Sequence, residues 1–357
     1  MKRSLMTLLL LTLLTVGAGA AEVPRDLLDA APEGTERLLE EAADPDGFLE
    51  SLQAILNRGK AAAADILRQR VKDVAALLAV VLLCGAIESF YQGTGSRITL
   101  FLPMAAALSV TLLTAGSLDA LIGLGAETIR ELSLFSKALL PTLAAATATT
   151  GAVTTATFQQ VSAMLLVDLL MNLIEGVLLP VVYLYIGVLT ASCCLPENRL
   201  GALADGLKKA LTWVLTTALL AFTAYLSVVK VISGAADGSG VKLTKAAISG
   251  VVPVVGGIIA DAAETVLAGA GMLKNTVGIF GVLAVTAACV YPFLQLGLQY
   301  LLYKLAAFLA SAVGSPGLCR LIDGLGSAFG LVLGMTGACA VLLLVSVLSL
   351  MAAVLPW

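Results

Sequence analysis

Asp168, Asn172 and Glu175 stand four and three residues apart inside an apolar run, a spacing that puts all three on one face of a helix. A carboxylate at the centre of a bilayer costs at least ~2.5 kcal/mol, so two on one face require a partner, a proton or water. The chemistry open to them is that of a polar pathway or an inter-helix contact. The competing reading leaves Asp168 near the membrane surface and Glu175 neutral and hydrogen-bonded within a bundle. A second set, Asp261 and Glu264, also shares a helical face, with Lys274 further on as a charge partner.

Bond-making chemistry is harder to find. The chain has no histidine, which removes His-based triads, His proton relays, HExxH zinc sites and imidazole ligation of haem together. Its six cysteines, Cys84, Cys193, Cys194, Cys289, Cys319 and Cys339, form no CxxC and lie in or beside apolar runs, where cysteine acts as a small hydrophobe. No phosphate-binding GxxxxGK[ST] loop is present. The expectation is a protein with no catalytic residues, no metal and no cofactor, in which ATP-driven work comes from another polypeptide.

The elements that position these residues are membrane helices. Of 357 residues, 59% are hydrophobic and 13% charged, and the mean hydropathy of +1.00 belongs to polytopic membrane proteins. A net charge of -3 argues against a nucleic-acid partner. The predicted fold is all-α: a polytopic membrane helix bundle with a signal peptide, a short extracytoplasmic helical segment, and two internal repeats containing broken or re-entrant helices.

In chain order, residues 1–21 read as a secretory signal, with Lys2 and Arg3, an apolar run from Leu5 to Val16, and small residues before an Ala18-x-Ala20 or neighbouring cleavage site. Residues 22–72 are acidic, with apolar positions recurring at three and four, and form the extracytoplasmic segment. Residues 73–126 carry the first two spans. Two membrane units follow, 127–232 and 233–357. Runs of spanning length fall near 74–92, 98–118, 161–190, 211–232, 276–303 and 328–355.

Helix breaks are expected at Pro141, Pro180, Pro253, Gly256, Gly257 and Pro292. The stretch 233–275 is apolar yet interrupted, and reads as two half-helices meeting near Pro253, sheltered among full spans, since broken backbone survives at membrane depth only inside protein or beside water. The alternative is a surface loop followed by a short helix in the headgroups. Pro141 and Pro253 lie as far apart as Pro180 and Pro292, and the near-identical pentapeptides LADGL (203–207) and LIDGL (321–325) follow in the two units. This pattern implies two homologous halves. Lysine and arginine are spread too evenly to choose between parallel and inverted halves.

The layout, and above all SGAADGSGVKLTKAAISGVVPVVGGIIADAAETVLAGAGMLKNTVG, resembles the stage III sporulation protein AE family of endospore-forming bacteria. The matching positions are Gly234, Ala235, Asp237, Lys245, Pro253, Val254, Gly256, Gly257, Asp261, Lys274, Asn275 and Gly278. The resemblance implies a multi-pass component of the mother-cell membrane facing the forespore. It further implies a channel or feeding conduit similar to a secretion apparatus, shared with other stage III sporulation complex proteins, including a separate ATPase. A homo-oligomer is left open, as is a self-sufficient ion-coupled transporter. The family carries no catalytic or ligand residues over to this chain.

Overall fold

The computed structural model describes residues 24–32, 48–91, 98–149, 153–194, 200–222, 224–225, 256–312 and 316–351. The signal segment and Pro253 lie outside them, as do the side chains of Asp261 and Glu264.

Every regular element among the described residues is helical. A short helix α1 (Arg25–Asp29) precedes the long α2 (Phe48–Tyr91) and α3 (Ile98–Thr149). Helix α4 (Val153–Leu173) runs through a π-helical turn (Ile174–Leu178) into α5 (Leu179–Cys194). Residues 200–222 form α6, and α7 (Gly256–Ala310) and α8 (Pro316–Met351) complete the set. Five stretches among the described residues are long and apolar enough to cross a membrane: Leu52–Phe90, Phe101–Thr149, Ala156–Cys194, Lys274–Ala310 and Pro316–Met351. At 1.5 Å per residue they measure roughly 54 to 74 Å, against ~30 Å of bilayer hydrocarbon, so each continues past the membrane core.

The helices run without interruption through two of the expected boundaries. Helix α2 joins the expected extracytoplasmic segment to the first span without interruption, and α3 joins the second span to the amphipathic run at 127–137. Pro141 and Pro292, expected as breaks, sit inside the continuous helices α3 and α7. A proline in a helix removes one N–H and crowds the preceding turn, but in an apolar setting the alternative, a non-helical segment with several unpaired backbone groups, costs more. Beside Pro141, the Thr142 hydroxyl donates to the Ala138 carbonyl at 2.9 Å, an additional bond in the turn that the proline weakens. Gly256 and Gly257 lie within α7, which continues without interruption into the expected span. Pro180 follows the π turn directly, where the Leu179 N–H reaches the Ile174 carbonyl, so the helix widens there rather than stopping.

Helix α8 forms the centre. It packs most extensively on α7, then on α3, and also against α4 and α5. Leu321, Leu325, Phe329, Val332, Met335, Leu343, Val347 and Leu350 are all buried along it. Small residues allow the close approach. Gly326 and Gly330 lie against Tyr303 and Tyr300 of α7, Gly337 against Phe293, and Gly278 of α7 against Met351, which sets α7 and α8 as an antiparallel hairpin along most of α8. Gly125 of α3 meets Val332 and Thr336, and the Thr147 hydroxyl reaches the Leu350 carbonyl, so α3 runs parallel to α8. Tyr303 closes the layer at the other end, edge-on to Phe329 at 5.2 Å and donating to the Thr114 hydroxyl at 3.3 Å.

Candidate functional site

Helix α3 and the α4–α5 helix lie antiparallel, joined by polar contacts in regular order. The Thr111 and Thr190 hydroxyls pair at 3.2 Å, and the Tyr183 hydroxyl donates to Asp119 at 3.2 Å. Arg130 Nε then donates to Glu175 Oε1 at 2.9 Å, and Lys137 Nζ meets Asp168 Oδ1 at 3.2 Å. Both the cations and the anions are spaced by seven residues, about two turns or ~10 Å of helix, so the two ion pairs are rungs of one ladder. Asn172 is exposed between the two acids. Glu175 stands in the π turn, with Pro180 one turn beyond.

Two of the sequence-predicted acids are thereby placed on one face, each held by a cation that sequence reasoning had used only to weigh topology. Arg130 and Lys137 were missed as partners because they come from the neighbouring helix. Their matched seven-residue spacing was the available signal. Lys274 is buried on α7, thirty residues before Lys304 on the same helix.

A second polar cluster gathers where α6, α7 and α8 meet. Arg320 Nη2 reaches Asp205 Oδ2 at 2.6 Å and the Gly201 carbonyl at 3.4 Å. Lys304 pairs with Asp323 and also donates to Ser327 Oγ at 3.1 Å, while Lys208 donates to the same oxygen at 2.9 Å. The Ser327 hydroxyl donates to the Asp323 carbonyl at 2.9 Å, and the Tyr185 hydroxyl donates to the Gly324 carbonyl at 3.2 Å. Asp205 and Asp323 are the acids of the two repeated pentapeptides. Contacts of Gly201 with Arg320, Lys208 with Ser327 and Leu215 with Gly334 advance by seven residues on each helix, so α6 and α8 run side by side in the same direction.

Neither cluster has the form of a catalytic site. Both offer charged groups already engaged with one another, and among the described residues no group of Cys, Asp and Glu converges as a metal site. What the arrangement does chemically is fix helix register and present charge on an otherwise apolar body.

Comparison with known proteins bears on most of the chain. Residues 41–354 match the family model described as Stage III sporulation protein AE. Among curated proteins, the chain is similar to Stage III sporulation protein AE of Bacillus subtilis (strain 168), with 25% identity over 256 residues, covering 71% of this chain and 63% of the relative. The alignment thus spans less than two thirds of that relative's length. No solved structure matches.

Proposed function

Because the chain belongs to the stage III sporulation protein AE family, we propose that it is a non-enzymatic, multi-pass component of a channel complex between mother cell and forespore, required for endospore development. The family match across residues 41–354 carries this reading. Five long apolar helices, α8 the most deeply buried of them, are compatible with a permease-like core. In this reading the protein sits in the mother-cell membrane facing the forespore, beside other stage III sporulation proteins and a separate ATPase. A motor elsewhere accords with the missing phosphate-binding loop.

The alternative, a self-sufficient ion-coupled transporter, needs carboxylates available to a proton or sodium ion. Asp168 and Glu175 are instead engaged by Lys137 and Arg130, which weighs against it. Deleting the gene in a spore-forming host tests the choice. Arrest of spore development after engulfment, with the tagged protein recovered alongside other complex members, is expected. Normal spores from the deletion strain would overturn the conduit reading, and ion-dependent solute uptake by the purified chain in vesicles would favour the transporter.

A further inference from the structure

The α3/α4 ladder sets exposed charges beside exposed leucines on one face. Arg130, Glu175, Lys137 and Asp168 keep between a third and two thirds of their side-chain surface open. Leu134, on the same face of α3 as the two cations, is 66% exposed, and Leu165 and Leu169, flanking Asp168 on α4, are 66% and 64% exposed. In hydrocarbon, exposed charges cost several kcal/mol together. In water, three exposed leucines forfeit roughly 25 cal/mol per Å² of apolar surface. A protein surface carrying both apolar area and matching charge satisfies both demands at once.

We propose that this face is an interface between copies of the chain, and the charge pattern identifies the occupant. Two cations form a column on α3, and two anions form a column on α4. Copies inserted in one membrane share an orientation, so they are related by rotation about the membrane normal, which leaves depth unchanged. Arg130 touches Glu175 and Lys137 touches Asp168, so each pair lies at one depth. A second copy therefore brings its Glu175 to the depth of the first copy's Arg130 and its Asp168 to that of Lys137, and α3 of each chain meets α4 of the other with opposite charges level. The four charges then form a shared network at the subunit boundary, with Leu134, Leu165 and Leu169 covered around it.

Charge reversal in separate chains tests the exchange. Copies bearing two different tags are co-expressed as full-length chains, extracted in mild detergent, and co-purified through one tag. Wild type is expected to co-purify. Arg130→Glu alone and Glu175→Arg alone each place like charges across the boundary, and recovery of the second tag falls about tenfold, equivalent to ~1.4 kcal/mol. Mixing an Arg130→Glu copy with a Glu175→Arg copy restores it, although the pair within each chain remains broken. Rescue by mixing cannot come from an intrachain role. As a second measurement in otherwise wild-type chains, Leu134→Cys in one copy and Asn172→Cys in the other form a crossed disulfide on mild oxidation, above the background of the native cysteines. Failure of wild type to co-purify, single reversals that associate normally, or no rescue on mixing overturns the proposal. So does rapid modification of Asn172→Cys by a membrane-impermeant maleimide in the intact assembly, which would make the face a water-filled path.

Discussion

Replacing Gly326 by alanine isolates the closest backbone approach in the molecule's central hairpin. A Cβ at Gly326 would lie 3.0 Å from Tyr303 Cβ, 3.6 Å from the Lys304 backbone nitrogen and 3.7 Å from the Tyr300 carbonyl oxygen. Carbon atoms prefer about 3.5 to 4.0 Å, so α7 and α8 must give by a few tenths of an ångström. Rotating a side chain gives no relief, because Tyr303 Cβ is bonded directly to the backbone. Overpacking of this kind costs roughly 1–3 kcal/mol, and the better helix propensity of alanine returns roughly 0.5–1. The expected net loss is about 0–2.5 kcal/mol, near 1 at the centre of both ranges, a factor of roughly 5 to 10 in the folding equilibrium. Gly297 on α7 supplies the control. Its added Cβ meets only Leu333 Cδ2, at 3.9 Å, so Gly297→Ala should gain roughly 0.5–1 kcal/mol from propensity alone. Thermal unfolding of the detergent-solubilised chain, followed by circular dichroism, compares the two. The midpoint should fall for Gly326→Ala and hold or rise for Gly297→Ala. Equal midpoints would show that the two helices are not packed at backbone distance, and the hairpin at the centre of the fold would have to be redrawn.

Two further outcomes follow from the same contacts. Leu215→Cys combined with Gly334→Cys should be joined within the chain by a short bifunctional maleimide, since a Cβ at Gly334 lies 3.5 Å from Leu215 Cδ2; if that pair fails to cross-link while a pair on non-adjacent turns does, α6 and α8 do not run in parallel register. Gln159 is 1% exposed and its amide has no hydrogen-bond partner among the described residues, so Gln159→Leu should leave stability unchanged or raise it by about 1 kcal/mol, measured by thermal unfolding. A clear loss there would mean that the amide is satisfied in the folded protein.

The sequence alone determined the class of molecule, because hydropathy and run length are local properties and a bilayer leaves helices as the natural apolar element. It also placed Asp168, Asn172 and Glu175 on one face, since four-and-three spacing needs only a helix. The pentapeptides marked two places that matter, although nothing in their composition said that Asp205 would pair with Arg320 and Asp323 with Lys304.

Tertiary structure decided the rest. Which cation holds which acid depends on the antiparallel register of two helices, and the paired residues lie 31 and 45 positions apart, beyond any periodicity within one helix. Pro141 and Pro292 argue for breaks by local propensity, yet surrounding apolar helices make an interruption costlier than a strained turn, so both remain inside helices. Helix α8 is the most apolar of the five candidate spans, but run hydropathy does not choose its neighbours, and its seat at the core uses glycines that let α7 and α3 approach it on two sides. Burial belongs to the whole packed set of helices, and no single stretch of residues carries it.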